Sequence, residues 1–179
     1  YLTLEPMEKL WMGSGIAVSA LTGGYRVIAL EQTAEAAAAG RARIAGTLDK
    51  AVQSRRLSTE ARDACLARLE TTAEAVNLSV ADLVVEAVFD DLTVKTDLFR
   101  RLDGIVAPGA VLATNTSYLD PDTIAAATAD PSRVVGLHFF SPANIMRLVE
   151  VVDCAKTAPD VLASALAFVK RLGKLPIVC

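Results

Sequence analysis

Leu83-Val84-Val85-Glu86-Ala87-Val88 is a short, nearly continuous apolar run rich in β-branched residues. Such a run reads as a strand buried on both faces, as in parallel sheets. Moving downstream, residues 93–105 have a helical period, Pro108-Gly109 marks a turn, 110–114 reads as a strand, 121–129 as a helix and 134–140 as a strand. Residues 148–152 follow as a strand, 160–172 as an amphipathic helix with Gly173 as its C-cap, and 175–178 as a last strand. Upstream, residues 25–30 form the first clear strand, 34–54 one helix, and Ser58 the N-cap of another, with Glu60 nearby. Strands alternating with helices predict an α/β, Rossmann-type doubly wound fold: a mostly parallel sheet with helices on both faces, in one domain over residues 1–179.

The chain has 179 residues, 53% hydrophobic and 22% charged, enough to bury a substantial core. Its net charge of -3 argues against bulk attraction to nucleic acid or an anionic membrane. Cys65, Cys154 and Cys179 are odd in number and far apart, so neither a zinc site nor a disulfide framework is expected, and they read as thiols of a cytoplasm-like compartment. No charge-free apolar run is long enough to span a membrane, and no export signal is legible.

In open α/β sheets, ligands bind at the carboxyl ends of the strands. Polar residues cluster there: Asn115-Thr116-Ser117 after one strand, His138 near the end of the next, and Glu150 on the one that follows. His138 is the only histidine, and imidazole titrates near neutral pH. Placed between a hydroxyl and a carboxylate, it can move a proton to or from a substrate alcohol.

A nucleotide site needs a first strand, a glycine turn, a helix N-terminus facing phosphate, and an acid at the end of the second strand. Residues 13–21 read as the helix, with small residues where it packs closely, and Glu31 is the acid, 18 residues beyond Gly13. If Gly13 is the last glycine of GxGxxG, the first two fall on Glu8 and Leu10, and neither suits the backbone's approach to a pyrophosphate. Residues 3–7, with Pro6 and Glu5, make a poor central strand, so the first strand is degenerate.

Residues 12–179 resemble the nucleotide-binding domain of L-3-hydroxyacyl-CoA dehydrogenases, particularly the form within multifunctional fatty-acid oxidation proteins. The resemblance is carried by Met12-Gly13-Ser14-Gly15-Ile16-Ala17, by residues 82–92 with Lys95, by Ala113-Thr114-Asn115-Thr116-Ser117, and by Leu137-His138-Phe139-Phe140-Ser141-Pro142 with Val149-Glu150-Val151-Val152. It implies NAD as cofactor and oxidation of a 3-hydroxyacyl-CoA to the 3-oxoacyl-CoA, or the reverse.

His138 would then be the general base, Glu150 its orienting carboxylate and Ser117 the hydrogen-bond partner of the substrate oxygen. Asn115 and Ser141 would lie near the nicotinamide ribose, and Glu86 and Lys95 would contact the cofactor. Glu31 would hold the adenosine ribose and disfavour a 2′-phosphate, hence NAD over NADP. Gly13 would face the pyrophosphate. An ion pair between helix and strand is the other reading of Glu86 and Lys95, and a turn residue before Pro142 that of Ser141. The family's coenzyme A positions fall on Thr47 and Ser54, where Arg55 or Arg56 could substitute, although a solvated helix face is the other reading there.

The resemblance ends before the helical domain that in the family completes the acyl-CoA pocket and forms the dimer. A homo-oligomer, or a fused or associated helical domain, is therefore expected. Pro6, Glu8 and Leu10 motivate the competing expectation of a cofactor-defective member serving as a non-catalytic binding or assembly module.

Overall fold

A computed structural model describes residues 7–179, with side chains from residue 12 onward. The expected degenerate first strand spans residues 3–7, of which 3–6 lie outside these residues and Met7 begins α1. The elements are α1 (Met7–Thr22), β1 (Val27–Leu30), α2 (Ala34–Gln53), α3 (Thr59–Ala67), β2 (Leu69–Thr72), β3 (Leu83–Glu86), α4 (Leu92–Asp103), β4 (Val111–Thr114), α5 (Pro121–Ala125), β5 (Val134–Phe139), β6 (Leu148–Val152), α6 (Pro159–Arg171) and β7 (Leu175–Val178). Short 3-10 turns at Ala75–Val80 and Pro131–Arg133 complete the order.

Five strands form one sheet in the order β3-β4-β5-β6-β7, parallel throughout except for the antiparallel pair β5/β6. A second sheet pairs β1 and β2 in parallel. Alternate residues of β4 face opposite sides, as the pleat requires. Val111 and Ala113 join a core with Ile16 of α1 and Ala165, Phe168 and Val169 of α6. Leu112 joins one with Phe99 and Leu102 of α4 and Ile124 and Ala125 of α5. Ile28 and Leu30 of β1 pack on this second cluster together with Val84 of β3, so the two sheets share a core although β1 and β3 belong to separate ladders. Helices cover both faces, as the sequence predicts.

Several boundaries differ for local reasons. The helix expected from Gly13 begins at Met7, where Met-Glu-Lys-Leu are all good helix formers. The strand expected over residues 83–88 stops at Glu86, whose Oε1 accepts from Val88 N at 2.6 Å and turns the chain. The helix expected over residues 121–129 stops at Ala125, after which Thr128 donates back to the Ala125 carbonyl. Ser58 caps α3 by accepting from Ala61 N, and Gly173 has the positive φ of 71° that a glycine after a helix supplies. β2, Leu-Glu-Thr-Thr, is a strand the sequence reading did not assign.

Candidate active site

β5 runs parallel to β4, and β6 returns antiparallel beside it with His138 directly opposite Glu150. Two residues earlier Gly136 faces Val152, and a Cβ on Gly136 would lie 2.6 Å from the Val152 Cβ. Glycine there lets β6 approach closely enough for the pair beyond it to meet. His138 Nδ1 lies 2.8 Å from Glu150 Oε2, and Nε2 lies 3.0 Å from Ser117 Oγ. A carboxylate can only accept, so Nδ1 carries the proton and Nε2 presents its lone pair to the serine hydroxyl. His138 keeps 18% of its side-chain surface exposed, sits beside the Phe140 ring, and lines a cleft of about 190 Å³ with Thr116, Ser117, Tyr118 and Glu150.

The loop after β4 is anchored on both sides. Asn115 N donates to the Glu86 carbonyl at 2.8 Å, and Asn115 Oδ1 accepts from Phe139 N at 2.8 Å. With Oδ1 engaged, the Asn115 amide nitrogen is the group left to donate to a ligand. Ser141 is exposed and joined to Pro142 by a cis peptide bond. The loop beyond is held by Lys174, whose Nζ donates to the carbonyls of Ala143 at 2.6 Å and Met146 at 2.7 Å. Burial lowers the Lys174 pKa. Ser19 of α1 also donates to the Ala143 carbonyl.

Glu86 and Lys95 are brought together as an ion pair. Lys95 Nζ is 2.6 and 2.8 Å from the two Glu86 carboxylate oxygens, and the side chains are 0% and 1% exposed. Thr114 Oγ1 also donates to Glu86, at 2.8 Å. Burial raises the Glu86 pKa, against the opposing pull of the Lys95 charge and these hydrogen bonds. Neither side chain offers a cofactor an exposed surface.

Glu31 follows β1, half-buried and 3.3 Å from Arg43 Nη2. Burial raises its pKa and the Arg43 charge opposes that rise. A Cβ on Gly40 would lie 3.0 Å from Glu31 Oε1, so a side chain there would require the carboxylate to shift by a few tenths of an ångström. Gly13 lies inside α1 with open space around it, whereas a Cβ on Gly15 would come within 3.1 Å of Ala143. The close approach of α1 therefore falls on Gly15, a position the motif reading passed over. Glu8 and Leu10 lie in α1, where side chains are not described.

Thr47 spends its hydroxyl on the Arg43 carbonyl, within α2. Arg55 adopts a positive φ of 57° and borders a shallow, open depression with Arg56, Ser58 and Glu60, which none of Ser117, His138 and Glu150 lines. Asp90 was missed by the sequence reading. Its Oδ2 accepts from Ser117 N at 3.4 Å, and its Oδ1 lies 3.4 Å from Lys95 Nζ. In sequence it is one of two adjacent aspartates before a helix, where Asp91 alone is needed as the cap.

Glu31, Asn115 and Ser117 all stand at carboxyl ends of parallel strands. Their chemistry suits a dinucleotide lying across that edge: a carboxylate for ribose hydroxyls at one end, an amide donor and a proton relay at the other.

Comparison with known proteins identifies the family. Residues 11–179 match the family described as 3-hydroxyacyl-CoA dehydrogenase, NAD binding domain. The chain is 38% identical over 166 residues to the peroxisomal bifunctional enzyme of Danio rerio, covering 93% of this chain and 22% of that protein. It is 43% identical over 131 residues to the fatty acid oxidation complex subunit alpha of Shewanella oneidensis, covering 73% of this chain and 19% of that one. Among solved structures, M. tuberculosis FadB2 superposes with a TM-score of 0.91 at 40% identity, over 94% of this chain and 60% of that one. The 3-hydroxybutyryl-CoA dehydrogenase of Escherichia coli K12 gives 0.91 at 38%, over 94% of this chain and 36% of that one. The chain thus spans about a fifth of the length of these two curated relatives. It belongs to the 3-hydroxyacyl-CoA dehydrogenase family, in the NAD-binding domain of that family.

Proposed function

We propose that this chain is the NAD-binding and proton-transfer part of an enzyme that interconverts 3-hydroxyacyl-CoA and 3-oxoacyl-CoA. The observation that carries the reading is the continuous chain Ser117 Oγ, His138 imidazole, Glu150 carboxylate, with contacts of 3.0 and 2.8 Å. NAD, when bound, supplies the acceptor for the hydride leaving C3 of the substrate.

The chain's own residues handle the proton. His138 Nε2 takes it from the 3-hydroxyl while Ser117 donates to the same oxygen, fixing the hydroxyl within reach of the imidazole. Glu150 holds the ring in the Nδ1–H tautomer and offsets the positive charge as the imidazolium forms. In the reducing direction the imidazolium returns the proton to the 3-oxo oxygen. General acid–base transfer of this kind contributes about 10²- to 10⁴-fold to rate. Glu31 holds the adenosine ribose, Asn115 and Ser141 border the nicotinamide end, and Gly13 and Thr47 remain positions to test on the phosphate and coenzyme A sides.

A further domain or partner is suggested by the relatives, one named a bifunctional enzyme and another a subunit of a fatty acid oxidation complex. Leu175, Ile177 and Val178 of the edge strand β7 are each at least half exposed, an apolar rim suited to a fused or associated domain. The three cysteines are free thiols, in keeping with a reducing compartment.

The test is NADH consumption with acetoacetyl-CoA. Activity in the chain, alone or joined to the remaining part of a relative, that falls about 10²-fold or more in His138→Gln supports the reading. Binding of both ligands with turnover unaffected by His138→Gln overturns it. Failure to bind NADH even at millimolar concentration favours a non-catalytic module.

A further inference from the structure

We propose that Lys174 is a positioning residue for the cofactor: its buried ammonium clamps the loop after β5 against α1, so that the nicotinamide and phosphate ends of the groove move as one unit. The proposal rests on the reading of this carboxyl edge as the NAD site.

Three observations converge. First, Lys174 is buried, yet its Nζ bonds only backbone carbonyls among the described residues, those of Ala143 at 2.6 Å and Met146 at 2.7 Å. Burial lowers its pKa, and no carboxylate charge among the described residues opposes that shift. Desolvating an ammonium is costly, and a methionine would fill the same space without that cost, so packing alone does not call for a lysine here. Second, both carbonyls belong to the loop that carries Ser141. Ile145 N and Met146 N each donate to the Pro142 carbonyl at 2.9 Å, which closes the loop into a single turn that Lys174 grips at two points. Third, α1 seats on the same residue. Ser19 Oγ donates to the Ala143 carbonyl at 3.2 Å, sharing its proton with the Gly15 carbonyl at 3.1 Å. One turn earlier, a Cβ on Gly15 would lie 3.1 Å from Ala143 Cβ and 3.2 Å from Asn144 N.

Ala143 is therefore the junction of helix, loop and cation. Ser141 lies two residues before Ala143, and Gly13 lies two before Gly15. The nicotinamide and phosphate ends of the groove thus meet at one contact. Without the ammonium, the buried Ala143 carbonyl would keep only the shared Ser19 hydroxyl, and the loop would have to move to hydrate it. That movement would part Ala143 from Gly15, and Ser141 from the start of α1. Lys174 spends its hydrogen bonds on the loop and acts on the cofactor through it.

One part of the test needs no variant. Coupling between two events is reciprocal, so a cofactor held by this junction must in turn hold the junction closed. In the unaltered chain, saturating NADH should slow acetylation of the Lys174 amine by an N-hydroxysuccinimide ester at least about fivefold, read by peptide mass spectrometry against the exposed Lys156. Bound NADH that leaves the Lys174 rate unchanged overturns the proposal. Lys174→Ala is expected to weaken NADH binding about tenfold while the imidazole nitrogen signals of His138 stay in place, because the relay hangs on β5 and β6. Added n-propylammonium, the part of the side chain that alanine lacks, should restore much of the affinity. Phe99→Leu, a change in the core behind β4, controls for lost stability and should bind NADH as the parent does. Affinity that is unchanged in Lys174→Ala, or lost to the same degree in Phe99→Leu, overturns the positioning role. If the unaltered chain fails to bind NADH at millimolar concentration, the reading of this edge as a working NAD site falls and takes the proposal with it. The acetylation rates decide even where Lys174→Ala does not fold.

Discussion

His138 and Glu150 are direct cross-strand partners, joined at 2.8 Å through Nδ1 and Oε2 on the one antiparallel pair of the five-stranded sheet. Because the register fixes their backbones, the carboxylate's task is to choose the tautomer. Glu150→Gln keeps the shape but can turn its NH2 toward Nδ1, which favours the wrong tautomer. Turnover should fall by about 10²-fold or more with little change in KM for acetoacetyl-CoA. Steady-state assays check the rate, and imidazole nitrogen shifts check the tautomer. A tautomer shift without loss of rate would show that His138 is not the base.

Gly136 and Val152 set the same register from below. Gly136→Ala would place a Cβ 2.6 Å from Val152 Cβ and 2.9 Å from Cγ2, closer than real contacts allow. Overpacking of this kind costs about 1–3 kcal/mol. The strain falls two residues from His138, so activity should drop along with thermal stability. Adding Val152→Ala removes the Cγ2 clash but keeps the Cβ one, and should recover only part of the Tm, whereas Val152→Gly removes both contacts. An unchanged Tm in Gly136→Ala would mean that the strands separate freely there.

Much of this was legible in the sequence, for physical reasons. β3, β4, β5 and β6 are dense in valine and leucine because buried strands need such residues. Ser117 follows the end of β4, His138 lies near the end of β5 and Glu150 faces it from the middle of β6, and the structure joins them. β2 escaped notice because Leu69-Glu70-Thr71-Thr72 is short and polar; it is a strand through its parallel pairing with β1, with only Leu69 and Thr72 buried. The antiparallel sense of β6 is a tertiary property that no local pattern encodes. Glu86 and Lys95 were visible as charges, but their burial was not, and neither was the link through Asp90. A carboxylate's partner nine or more residues away is set by how two loops fold together.

The buried pair predicts an asymmetry between single and double substitutions. Lys95→Met leaves Glu86, which already accepts from Thr114 and Val88, as a buried carboxylate without its cation. The expected loss is about 3–5 kcal/mol, measured by denaturant unfolding. Glu86→Gln added to Lys95→Met removes the charge and should recover a large part of that loss. Equal destabilisation in the single and double variants would show that packing, not charge, decides the site.

Arg133 predicts an acid-dependent effect on the strand that delivers His138. It lies immediately before β5, pairs with Asp103 at the end of α4 and donates to the Ala107 carbonyl at 2.9 Å. Burial by itself would raise the Asp103 pKa. The hydrogen bonds from Ala129 N and Arg133, with the Arg133 charge, outweigh that and hold it below the ordinary 3.8 despite the nearby Asp130. A carboxyl whose folded pKa lies below its unfolded value contributes stability that is fully present above the unfolded value and is lost as pH falls through the folded one. Asp103→Asn should therefore lower Tm at pH 7, and the gap from the parent protein should narrow as pH falls below about 3.8. Thermal melts at neutral and acid pH check this. A gap that stays constant through the acid range would mean that Asp103 supports β5 through hydrogen bonds that its amide replacement also fails to make, rather than through its charge.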